Sequence, residues 1–179
     1  MMTSDKVEQL SRSEGFCILG IDPGLSGALA FYFPSAPHLV AAEDMPIAGG
    51  EVDVATLARR LEQMRPDVAI IEQVQSMPKQ GVSSTFKFGA AYGMARGVIT
   101  GLGIPVHLVS PRRWKTHFHL DSDKDKSRAL ALRYWPTSTA FARKKDDGRA
   151  EAALIARFGS EVLLHAESPN EIQIVGSAS

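Results

Sequence analysis

Four carboxylates stand where they could do chemistry together. Asp22 closes the apolar run FCILGID just before Pro23-Gly24, and Glu72 closes a second apolar run, VAIIE. In open α/β sheets functional groups gather at strand ends, and two such acids converge if their strands are neighbours. Asp147 and Glu151 lie four residues apart in DDGRAEAALIA and so share one face of a helix. Asp146, five residues before Glu151, falls well round that helix and ranks below Asp147. Ala150, Ala153, Leu154 and Ala156 make the helix small and apolar where it would meet a sheet, which draws the neighbouring carboxylates toward the sheet. Four converging carboxylates repel one another unless cations neutralise them. Hard oxygen ligands suit Mg²⁺, with Mn²⁺ as a substitute. Two such ions can activate water and stabilise the leaving oxygen in phosphodiester cleavage. Singly, a strand-end Asp is usually a turn cap and a helical Glu usually solvated, so the joint placement carries the inference.

The elements that must position these acids read as β-β-β-α-β-α-β-α-α. Strands are expected over 16–22, 27–33, 38–44, 68–72 and 105–109. Helices are expected over 54–65 with Asp53 as N-cap, and over 84–102, 124–135 and 147–158. Three strands followed by alternating helices and strands predict an α/β fold, a mixed β-sheet flanked by helices on both faces.

The chain has 179 residues, 44% of them hydrophobic, enough for one packed domain. We expect a flexible leader over 1–15, the domain over 16–160 and a C-terminal tail over 161–179. No run of about 18 apolar residues is present, so no membrane span is expected. No secretory signal is visible at the start, and the single Cys17 sits in an apolar run, so a cytoplasmic protein with a buried thiol is expected. Net charge is zero, but it is unevenly spread. Between Gln73 and Arg149 there are 14 Lys or Arg against five Asp and no Glu. Such asymmetry suggests one basic face able to track phosphates.

With these residues in view, the chain resembles the RuvC family of Holliday-junction resolvases. ILGIDPGLSG at 18–27 and AIIEQV at 69–74 are similar to that family's first two active-site motifs. FGAAYGMARGV resembles the helix that follows, VHLVSPRRWK the next strand and basic loop, and DGRAEAALIA the terminal catalytic helix in a phage-type form. The resemblance implies an RNase H-like fold and a structure-selective, Mg²⁺-dependent endonuclease that resolves four-way DNA junctions by paired nicks. It implies two ions per site held by Asp22, Glu72, Asp147 and Glu151. Lys115 and Lys126 fall where the family keeps basic residues near the scissile phosphate. Lys79, Arg112, Arg113, Lys124, Lys144 and Lys145 are the expected phosphate contacts, and a homodimer in a bacterial or phage-infected cell is the expected form. Two departures stand out. The partner of Glu151 lies four residues before it, not three. Gln75 follows EQV where cellular members often carry a stacking aromatic, which leaves Met77 as a candidate wedge. Alternatives are a broader nickase of forks and flaps, or a catalytically weak DNA-binding module of the same fold. An actin- or Hsp70-type ATPase also opens on such a strand, but needs a second phosphate loop and about twice the length.

Four other features stand out in the sequence. Gly89, Gly93 and Gly97 repeat every four residues, a strip suited to a helix–helix contact, either with a second copy or with this chain's own sheet. Asp121, Asp123 and Asp125 mimic an EF-hand start but lack its later Gly and Glu, and read as a helix N-terminus. Trp114 and Trp135 read as core anchors, and His117 and His119 lack the partners of a zinc site.

Overall fold

The computed structural model describes residues 15–73 and 81–164. Lys79, Gln75, Met77, residues 1–14 of the expected leader and residues 165–179 of the expected tail lie outside them. Five strands form one sheet. Strands β1 (Ile18–Asp22), β2 (Ala28–Tyr32) and β3 (Val40–Asp44) form an antiparallel meander. Strands β6 (Val68–Glu72) and β7 (Val106–Val109) add in parallel on the other side of β1. A two-residue hairpin, β4 (Ile47–Ala48) and β5 (Glu51–Val52), stands apart.

Alternation along the strands divides the core in two. Leu19, Ile21, Leu29, Phe31, Ala69 and Ile71 face one side, where they meet Leu57, Leu61 and Met64 of α1 (Val54–Met64) and Ala91, Ala95 and Ile99 of α2 (Val82–Gly101). Ile18, Ala28, Ala30, Val68 and Ile70 face the other. There they meet α3 (Pro111–His117), α4 (Lys124–Tyr134) and α5 (Asp147–Phe158). This is the expected mixed sheet with helices on both faces. Asp53 caps α1 as expected, its carboxylate accepting from the Thr56 amide at 3.0 Å. Cys17 is buried, and burial followed by the nearby Asp67 charge pushes its thiol up to about 12.

The structure departs from the sequence reading in three places. The segment after β7, expected as a basic loop, is helix α3: Ser110 accepts from the Arg113 amide, and Pro111 occupies the first helical position, where its missing N–H costs nothing. The β4–β5 hairpin has strands too short to leave a periodic signal. Helix α5 runs on into a π turn (Gly159–Leu163), and Val162, Leu163 and Leu164 pack on the core, past the boundary expected at residue 160. Among the described residues no helix is long and apolar enough to cross a membrane.

Candidate active site

Strand register brings the first two acids together. Parallel β1 and β6 pair Ile21 with Ile71, so Asp22 and Glu72, the next residue on each, end side by side at the same sheet edge. Period-two alternation puts both on the face of Ile18 and Ile70, the face covered by α5. Helix α5 lies unusually close to that face because Gly20 lacks a side chain. A Cβ there would sit 2.1 Å from the Ala152 carbonyl oxygen and 2.6 Å from the Ala156 amide nitrogen. At the helix start Gly148 makes a smaller allowance beside the site, since its Cβ would stand a tight 3.2 Å from Asp22 Oδ2.

The remaining acids follow from this docking. Glu151 is only 5% exposed, clasped between the sheet and helices α3 and α4. Lys115 Nζ on α3 lies 3.0 Å from its Oε1, and Ser127 Oγ on α4 donates to the same oxygen at 3.4 Å. Asp147 opens α5 and pairs with Lys124 Nζ at 2.7 Å. Glu72 accepts from the indole Nε1–H of Trp114 at 2.8 Å.

Asp22 is the exception. No described residue donates a hydrogen bond to its side chain. Burial, then the charges of Glu151 and Glu72, and least that of Asp147, hold its carboxyl well above the usual carboxylate range, with only Lys124 opposing. Glu72 is also raised, chiefly by burial with Glu151 adding to it, against the Trp114 hydrogen bond, Lys115 and Lys124. Two ammonium groups thus face four carboxylates, a deficit of positive charge in a partly buried site. Such a donor set of carboxylate oxygens fits hard divalent cations. Among the described residues no three His, Cys, Asp or Glu side chains form a ready-made metal cluster.

One neighbouring acid and two lysines are sorted by the structure. Asp146 is 1% exposed, yet it turns away from the cluster. It accepts from the Arg143 amide at 2.8 Å and from the Arg143 guanidinium at 2.7 Å, with Arg149 at 3.8 Å. Burial pulls its carboxyl up, but the Arg143 hydrogen bonds outweigh that and hold it below the usual range. Lys126, expected near the reacting phosphate, does not reach the acids and pairs with Asp121 on the exposed side of α4. The reason is helical phase: Lys124 and Ser127 face the site, and Lys126 lies about 200° round the helix from Lys124. Lys124, expected only as a phosphate contact, is the lysine that enters the cluster.

The other expected phosphate contacts lie around this edge. Arg112 and Arg113 are exposed on α3, Arg113 resting over the Phe158 ring at 5.8 Å, and Lys144 and Lys145 are exposed in the 3-10 turn before α5. Trp114 and Trp135 are both fully buried, as expected of core anchors, but the contact of Trp114 with Glu72 was not anticipated. His117 pairs with Glu161 at 2.8 Å. Asp123 caps α4, its carboxylate accepting from the Asp125 amide at 3.0 Å.

No protein-family model matches the chain. The chloroplastic Holliday junction resolvase MOC1 of Chlamydomonas reinhardtii is 36% identical over 89 residues, 48% of this chain. The matched segment spans only 10% of that relative's length. Thermus thermophilus RuvC, solved in complex with a Holliday junction substrate, superposes with a TM-score of 0.56 at 17% identity, covering 81% of this chain and 94% of that one. The fowlpox virus Holliday junction resolvase gives 0.50 at 16% identity, covering 83% and 99%. The fold is therefore RNase H-like, of the RuvC type, as the motif resemblance implied.

Proposed function

We propose that this chain is a structure-selective DNA endonuclease that cuts four-way junctions by divalent-metal-dependent hydrolysis. The observation that carries this reading is the docking of α5 on β1 through Gly20, which gathers Asp22, Glu72, Asp147 and Glu151 at one sheet edge with too few cations to balance them. The likeness to proteins named as Holliday junction resolvases supports the substrate class.

In this reading Asp22, Glu72, Asp147 and Glu151 hold two Mg²⁺ ions, with Mn²⁺ as a substitute. Bound there, the ions supply an activated water and stabilise charge on the leaving oxygen. The chain's own groups do the rest. Lys115 and Lys124 stand against the acids and are within a side-chain swing of a phosphate entering between them. Arg112, Arg113, Lys144 and Lys145, with Lys79 outside the described residues, hold flanking phosphates. Lys126 joins this outer group in place of the reacting one.

A homodimer is the second part of the proposal. The Cβ atoms that Gly89, Gly93 and Gly97 lack would meet no described atom within 4 Å, so the strip does not pack on the chain's own sheet. Val82 is 88% exposed and Phe86 76% exposed at the start of the same helix. A two-fold pair would match the paired scissile sites of a four-way junction. A cleavage panel over junction, fork, flap and linear duplex, run with light scattering, tests both parts. Paired nicks confined to junctions with a dimer mass are expected. Equal cutting of linear duplex would refute the substrate class, and a monomer on junction DNA would refute the paired-nick model.

A further inference from the structure

Trp114 occupies a position that neither hydrophobic packing nor the acid cluster alone explains. The indole is fully buried among Val109, Phe118 and Phe158 in the core beneath α3, yet its polar edge emerges at the site. Its Nε1–H donates to Glu72 Oε1 at 2.8 Å. Its ring lies beside the Lys115 ammonium, 5.1 Å from the centroid, close enough for a cation–π contact. Lys115 in turn reaches Glu151 Oε1 at 3.0 Å. One rigid side chain therefore touches the acid at the end of β6 with its edge, and the lysine that serves α5 with its face.

We propose that Trp114 is the positioning residue of this site, holding Glu72 Oε1 so that Oε2 is turned to a cation, and holding Lys115 in register with Glu151. The inference rests on the reading of Glu72 as a cation ligand. A buried indole suits the task because it has few rotamers and a single fixed donor, and the core on its other side locks it. Helix α3 is only seven residues long, with Ser110 and Pro111 fixing its start, so Trp114 is what ties it to the sheet beneath the site.

The chain has two tryptophans, so its ¹H–¹⁵N spectrum holds two indole resonances, and Trp114→Phe assigns them. Titrating the full-length protein with Mg²⁺ should move the Trp114 resonance and leave that of Trp135, which donates to the Pro37 carbonyl, in place. Trp114→Phe keeps a ring face for Lys115 and removes the N–H. It should weaken Mg²⁺ binding, read by calorimetry, roughly ten-fold, and lower kcat on junction DNA while KM is unchanged. Should Trp114→Phe fail to fold, a benzothienylalanine at position 114 removes the N–H without a cavity and gives the same readout. A Trp114 resonance indifferent to Mg²⁺, or unaltered Mg²⁺ binding without the N–H, overturns the proposal. Glu72→Gln separates the two levels. If it abolishes Mg²⁺ binding while loss of the N–H does nothing, only the role of Trp114 falls. If Glu72→Gln binds Mg²⁺ normally, the reading of Glu72 falls and the proposal with it.

Discussion

Replacing Gly20 with Ala tests the geometry on which the site depends. The added Cβ would lie 2.1 Å from the Ala152 carbonyl oxygen, 2.6 Å from the Ala156 amide nitrogen and 2.8 Å from the Ala156 Cβ. These are helix backbone atoms and cannot rotate aside. An ordinary carbon–oxygen contact is about 3.3 Å, so α5 must rise from β1 by about 1 Å or β1 must bend. Overpacking of this kind costs about 1–3 kcal/mol, a fall of several degrees in Tm for a domain of this size. The larger effect is on chemistry. Asp147 and Glu151 ride on α5, while Asp22 and Glu72 stay on the sheet, so the two pairs of acids separate. Displacement by about 1 Å of reacting groups costs on the order of 100-fold in rate. Junction cleavage should therefore fall about 100-fold, assayed well below the lowered Tm, with junction binding in chelator little changed because Arg112, Arg113, Lys144 and Lys145, proposed to hold phosphates, are exposed. Gly101→Ala is the control, since its Cβ would meet no described atom within 4 Å. Wild-type cleavage and an unshifted Tm in Gly20→Ala would refute the claim that close docking of α5 builds the site.

The metal-free protein should be destabilised by its own acids. Asp22 and Glu72 have raised carboxyls in the folded state, so folded protein holds protons that the unfolded chain has released, and stability falls as pH rises from the ordinary carboxylate range toward the raised values. In chelator, Asp22→Asn should flatten that decline and stabilise the protein at neutral pH by about 1–2 kcal/mol; a lower Tm for the variant would contradict it. Asp146 and Asp147 should separate cleanly. Asp147→Asn should cut cleavage about as deeply as Glu151→Gln, while Asp146→Asn, which weakens a buried anchor to Arg143, should cost about 1–3 kcal/mol of stability and leave cleavage below the Tm intact. Loss of cleavage in folded Asp146→Asn would overturn that assignment.

The acids at strand ends were legible because each closes a continuous apolar run, but their shared edge and face depend on the parallel pairing of β1 with β6, which the sequence left as a condition. The i, i+4 pair on α5 was legible for the same kind of reason. What the strands could not disclose was contact between elements remote in sequence. Gly20 reads as a weak strand residue until α5 is laid on it. Trp114 reads as a core anchor, which it is, but its indole edge points 42 residues back along the chain to Glu72. Lys124 and Lys126 differ by two residues and have the same chemistry, so only the phase of α4 decides between them. Helix α3 was read as a basic loop: seven residues carry too little periodicity, and the Ser110 cap with Pro111 at the first helical position is evident only in the structure.

The central claim is that four acids gathered by α5 form a metal-dependent junction-cutting centre. Its most direct test is cleavage of a labelled four-way junction by wild-type protein and by Asp22→Asn, each with Mg²⁺ and with chelator, alongside junction binding in chelator. The account predicts nicking only by wild-type protein with Mg²⁺, and equal binding by both proteins. Mg²⁺-supported cleavage by Asp22→Asn, or cleavage by wild-type protein in chelator, would contradict it.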